Sequence, residues 1–162
     1  MRIEQFQSCQ AEAVSNLIRR NLQEVNSQDY AEDAISALVA YFSPATLLEN
    51  SRSQTIFVAT QDGEVVGTAS LDNFGSAESP SYYAVAVFVL PELQRQGIGL
   101  RLMEAVELKA RELGAEKITL RASITAKGFY QKLGYRFRDG CEKLDEHRTY
   151  VMEKGVGGKD CG

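Results

Sequence analysis

Between residues 14 and 25 the apolar side chains Val14, Leu17, Ile18, Leu22 and Val25 recur every three or four positions. That spacing gives a helix one buried face, and Ser8 is placed to cap it. After the polar break "NSQDY" the same period returns in Ala34, Ile35, Leu38, Val39 and Phe42, and Ser43-Pro44 reads as the cap and first position of a short third helix carrying Leu47 and Leu48. From "TIFVATQDGEVVGTASLD" onward β-branched residues flank Asp62-Gly63, a pair that supplies the positive backbone angles of a tight hairpin turn. "YYAVAVFVL" is apolar at nearly every position, which predicts a central strand covered on both faces. Leu102, Met103, Val106, Ala110 and Leu113 then form one helical stripe that stops at Gly114. "EKITLRA" predicts another strand, "TAKGFYQKL" a short helix ending at Gly134, and "YRFRD" with "HRTYVMEK" a closing strand pair.

Composition adds boundaries to this pattern. With 162 residues and 44% hydrophobic residues, one domain accounts for the chain, spanning 1–154, with a Gly-rich mobile tail expected at 155–162. A formal charge of -4 argues against nucleic acid as a partner, because phosphate-backbone binding needs a basic excess. Cys9, Cys141 and Cys161 are too scattered for a disulfide framework or a metal-ligand set, so no metal is expected and a reducing cytoplasm is the expected location. The N-terminus has no apolar signal core, and no apolar run approaches the roughly 18 residues a membrane span requires.

The chemistry lies in "QRQGIG", residues 94–99, between the apolar strand and the following helix. The first N–H groups of a helix have no partner within it, and the helix dipole adds positive potential, so a glycine-bearing start can receive an anion. The bland alternative is a tight turn in which glycine serves backbone geometry alone. The dinucleotide fingerprint fails because Leu102 stands where its third glycine belongs, and the Gly-Lys-Ser/Thr of a phosphate-binding loop is absent.

Gln94, Gly97 and Gly99 meet the pattern Gln/Arg-x-x-Gly-x-Gly/Ala, preceded by "VFVLP" and followed, after a strand, by "SITAKGFYQKLGYRF". Together these resemble the GNAT superfamily of N-acetyltransferases over residues 54–153. The resemblance implies a mixed, mostly antiparallel α/β sheet of six to seven strands flanked by helices, with acetyl-CoA as co-substrate. It implies that Gln94, Arg95, Gln96, Gly97, Ile98, Gly99 and Leu100 cradle the CoA pyrophosphate. It also implies that Val87, Phe88 and Val89 pair with the pantetheine arm, their strand's N–H groups polarising the thioester carbonyl.

In "FYQKLGY" the family places a general acid at Tyr130, a phenol that would protonate the departing CoA sulfur; Phe129 and Leu133 read as core. Ser123 stands where many relatives carry Asn, and either bonds the pantetheine or caps the short helix. Relatives often carry a Glu on the strand before the phosphate loop, but "YYAVAVFV" has no carboxylate, so the base is left unassigned. His147, the single histidine, begins a predicted strand and is given no catalytic role. Recognition of the amine acceptor, on a small molecule or a protein, usually falls to the first two helices, which nominates Asn21, Glu24, Asn26 and Tyr30; a solvated helix face is the plain alternative. Family members often pair, so a homodimer is a further expectation of the resemblance. Two other readings stay open: an acetyl-CoA-sensing module without turnover, and an acyltransferase using a different acyl-CoA.

Overall fold

In the computed structural model, which describes residues 1–157, the chain begins with a strand its apolar spacing does not announce. Arg2–Gln5 (β1) pairs antiparallel with Thr55–Gln61 (β2) at the sheet edge, with only Ile3 and Glu4 half-buried. An edge strand this short is held by backbone pairing more than by a buried face, so it leaves little trace in the hydrophobic pattern. The first helix, Ala11–Glu24 (α1), buries Val14, Leu17, Ile18 and Leu22 as its period requires. Ser8 does not cap it, because residues 8–10 form a separate 3-10 turn in which the Gln10 carboxamide accepts the N–H of Gln7 at 2.8 Å. Glu32–Tyr41 (α2) and Pro44–Asn50 (α3) follow, and Ser43 Oγ accepts the N–H of Thr46 at 3.2 Å as a cap should.

β2 turns at Asp62 (φ 52°) and Gly63 (φ 81°) into Glu64–Asn73 (β3). Tyr82–Val89 (β4) comes next, then Ile98–Glu112 (α4), Lys117–Ala122 (β5), Lys127–Lys132 (α5), Arg136–Phe137 (β6) and Tyr150–Gly155 (β7). The seven strands lie in the order β1-β2-β3-β4-β5-β7-β6, all antiparallel except the β4–β5 pair. One apolar cluster joins α1, α2 and α3 to Val58 and Phe88 on one face, and another joins α4 and α5 to Ala69, Leu71, Ile118, Leu120 and Met152 on the other. α4 sits close to the sheet because β3 presents Gly67 beneath it, where a Cβ would come 2.9 Å from Leu102 Cδ1.

Three expectations change. β4 is not covered on both faces: only Ala84 is buried, and the rest of the strand is half-exposed. The closing pair is unequal, since β6 has two residues and 138–149 is a folded connection in which Arg148 takes φ 59°, so His147 lies exposed in a turn. The chain also stays on the sheet past residue 154. Gly155 ends β7, and Val156 is buried with its N–H on Glu116 O at 2.8 Å. The remainder of the expected tail, 158–162, with Cys161, lies outside the described residues.

Candidate active site

β4 and β5 run parallel but pair at one position, Tyr83 with Thr119, near their N-terminal ends. Beyond it β4 has no strand partner on that side, and the two C-terminal ends separate. Crevices at the carboxyl ends of parallel strands are where α/β sheets bind ligands, because unpaired main chain and two helix starts converge there. The opening is reinforced on the other side of β4, where the register with β3 shifts at Ala86, a residue held at φ 53°. Such a bulge re-aims the strand that follows. Val87 and Val89 consequently pack toward the α4 cluster, while Phe88 packs toward α1–α3, its ring 5.8 Å from that of Phe42.

The loop leaving β4 turns through Pro91–Leu93 and reaches α4 by way of two left-handed residues, Arg95 (φ 66°) and Gly97 (φ 85°). No side chain caps α4, so its first N–H groups remain available, and a Cβ on Gly97 would meet nothing within 4 Å. Gly97 therefore answers to its backbone angle and leaves open space in front of the helix start. Gly99 differs: a Cβ there would lie 3.0 Å from Phe129 Cζ, so its missing side chain admits the α5 aromatic against the first turn of α4. Arg95, Gln96 and Leu100 are exposed around this start, and Ile98 is buried beneath it.

Helix α1 holds the loop in place. The Gln94 carboxamide donates to Asn21 Oδ1 and to Val89 O, both at 3.3 Å, and Asn21, buried, donates in turn to Leu17 O. Arg20 reaches Glu92 with two nitrogens, at 3.1 and 3.0 Å, and Glu24 with a third. The hydrogen bond from Arg20 holds the exposed Glu92 carboxyl below the usual range. Two of the nominated acceptor residues, Asn21 and Glu24, are thus engaged with the loop side of the crevice.

At the other strand end, Ser123 closes the turn into α5. Its Oγ accepts the N–H of Ala126 at 3.2 Å in the turn ahead of α5, a helix that itself has no side-chain cap. Tyr130 follows, 7% exposed and in the same cluster as Val87 and Val89. Burial, and then the charge of Tyr30, pushes its phenol well above the usual tyrosine range. Tyr30 is itself raised by burial, then by Asp29 and Asp145. Asn26 contributes through its carbonyl, which accepts the N–H groups of Asp29 and Tyr30.

Asp29, Thr125, Asp145, Arg148 and Thr149, all at this end, were not singled out from sequence. Asp29 accepts both the N–H and the hydroxyl of Thr125, and Arg148 Nε reaches Asp29 O at 3.4 Å. Asp145 is desolvated, but the N–H and hydroxyl of Thr149, the N–H of His147 and the charge of Arg121 hold it below the usual carboxylate range. All five sit in polar loops without period, where no sequence signal separates a structural polar residue from a solvated one.

No helix among the described residues is long and apolar enough to cross a membrane. No curated protein matches the chain in sequence. Among solved structures, PaiA N-acetyltransferase from Thermoplasma acidophilum, in complex with coenzyme A, has a TM-score of 0.79 at 18% identity over 96% of this chain and 99% of that one. A GCN5-related N-acetyltransferase from Rhodopseudomonas palustris gives 0.77 at 22% identity, covering 95% and 94%. An aminoglycoside 6'-N-acetyltransferase complexed with coenzyme A gives 0.71 at 16% identity, covering 96% and 97%. A profile of the acetyltransferase (GNAT) domain matches residues 26–154. With that match over most of the chain, on a sheet split between β4 and β5, the protein belongs to the GNAT acetyltransferase family.

Proposed function

We propose that the protein transfers the acetyl group of acetyl-CoA to a primary amine by direct attack, with Tyr130 as general acid. The observation that carries this reading is a buried phenol in one cluster with the open strand β4. The residues present suit the donor: uncapped N–H groups at α4 and free space before Gly97 fit a pyrophosphate. The unpartnered edge of β4 fits an extended amide-bearing arm. Val87, Phe88, Val89, Gln94–Leu100 and Ser123 are accordingly assigned to the donor, and Tyr30 and Asn26 to the acceptor side.

The reaction is a substitution at the thioester carbonyl. The neutral amine nitrogen bonds to the carbonyl carbon, the C–S bond breaks, and Tyr130 gives its proton to the sulfur. A phenol with a raised pKa is a weak acid in water, but a thiolate formed in the same desolvated crevice becomes more basic for the same reason. β4 carries no carboxylate, so the ammonium proton goes to water, and water returns a proton to the Tyr130 phenolate to close the cycle. The rate at low pH then follows the ionisation of the acceptor amine.

The test uses acetyl-CoA with kanamycin, 1,4-diaminobutane and a peptide with a free α-amine, reading thiol release. The expected result is turnover with at least one amine, and a loss of about 100-fold or more in kcat for Tyr130→Phe, the usual contribution of general acid catalysis. Acetyl-CoA should still raise the melting temperature of that variant. Unchanged kcat in Tyr130→Phe would overturn the acid role. A donor-induced thermal shift without thiol release from any amine would favour the sensing module.

A further inference from the structure

Helix α5 has only six residues, too few to hold an orientation by itself, so the Tyr130 phenol depends on an anchor elsewhere. Asp29 is 7% exposed, and none of the ion pairs among the described residues includes it. A buried carboxylate without a cation is costly, and one is retained where its hydrogen bonds do something a neutral group would do less well. Here both oxygens are used on one residue: Oδ2 accepts the N–H of Thr125 at 3.1 Å and Oδ1 accepts its hydroxyl at 2.8 Å. Thr125 belongs to the turn in which Ser123 O receives the N–H groups of Ala126 and Lys127, and Ala126 O in turn receives the N–H of Tyr130. The chain of bonds from Asp29 to the backbone of Tyr130 is therefore continuous. Asp29 is also fixed at its other end, with its N–H on Asn26 O at 2.9 Å and its carbonyl facing Arg148 of the 138–149 connection.

We propose that Asp29 is a positioning residue for Tyr130: its two charge-assisted hydrogen bonds to Thr125 lock the start of α5 to the connection that carries Tyr30. This role rests on Tyr130 being the acid. Three segments separate in sequence, 26–30, 123–126 and 145–149, meet at this one carboxylate and its main chain; Tyr30 lies in the first, and Tyr130 follows one helical turn after the second. An Asn in its place could accept only through its oxygen and would turn an NH2 toward one of Thr125's two donors.

The experiment compares wild type with Asp29→Asn, Thr125→Val, Thr125→Ser and the double variant Asp29→Asn/Thr125→Val. It measures kcat and acceptor KM from thiol release with acetyl-CoA and whichever of kanamycin, 1,4-diaminobutane or the peptide turns over fastest, at a temperature where each variant is folded. Asp29→Asn and Thr125→Val should each lower kcat by about tenfold or more, the scale of a small misplacement of a reacting group. Acceptor KM and the acetyl-CoA thermal shift should hold, Thr125→Ser should behave as wild type, and the double variant should be no slower than the slower single. A purely structural role would lower the melting temperature and leave kcat of the folded protein alone. Wild-type kcat in Asp29→Asn, or in Thr125→Val should Asp29→Asn not fold, overturns the inference, as do losses that multiply in the double variant. If Tyr130→Phe keeps its rate, the acid reading falls and this one with it; if Tyr130→Phe loses rate and Asp29→Asn does not, this one alone falls.

Discussion

β3 and β4 lie side by side, and the more apolar of the two is the less buried. β3 reads "EVVGTASLDN" and buries every residue from 66 to 71, whereas β4 reads "YYAVAVFV" and buries Ala84 alone. β3 is paired along its length on both sides, and α4 presses on it at Gly67. β4 has a continuous partner on one side only, and past Tyr83 it faces a gap. Apolar residues left half-open along a main-chain edge mark where the fold reserves surface for something else, since burial would otherwise have stabilised it further. The comparison separates a strand that holds the molecule together from one left open along its edge.

Four substitutions or conditions press on that contrast. Leu102, fully buried under β3, should cost about 2–5 kcal/mol of unfolding free energy when changed to Ala, while the folded fraction still binds acetyl-CoA; denaturant melts with and without the donor check both halves. Loss of donor affinity in proportion to stability would erase the division of labour.

Alkaline pH comes next. Burial raises the phenols of both Tyr130, at the crevice, and Tyr135, in the core. The folded chain thus keeps protons that the unfolded chain releases above about pH 10, so stability is full below that pH and falls as pH rises. The slope is about 1.4 kcal/mol per pH unit for each phenol that ionises only on unfolding, and Tyr135→Phe should flatten it by one such share in denaturant midpoints taken across that range.

Gly97→Ala puts a side chain at φ 85° with no neighbour to clash with, a backbone cost of about 1 kcal/mol. It should weaken acetyl-CoA binding by calorimetry more than it lowers the melting temperature, and the reverse order would make the loop a turn and nothing else. Val87→Ala should cost the least, under about 1 kcal/mol, because the residue is already half-exposed. A loss as large as that of Leu102→Ala would mean that β4 is structural after all.

Strong periods were legible: α1, the Asp62-Gly63 hairpin, the Ser43 cap and the α4 stripe from Leu102 to Ala110 follow from side-chain spacing and turn chemistry, whereas Leu113 lies past the end of α4 and is exposed. β1 was not, because its backbone pairing has no residue-type signature. The glycine loop and Tyr130 were legible as a pattern, but the reason for Gly99 was not, since it lies in Phe129, thirty positions away in the chain. Asp29 was hidden for the same reason: its partner Thr125 is 96 residues distant.

The sequence by itself determined which segments could form helices and strands and where a helix would start uncapped, because these depend on neighbours within a few residues. Only the tertiary structure decided that β4 and β5 would part beyond Tyr83, that α1 would hold Gln94 through Asn21, and that Asp29 would meet Thr125. Those outcomes depend on contacts between segments far apart in the chain, where the energy comes from packing and desolvation that no local pattern encodes.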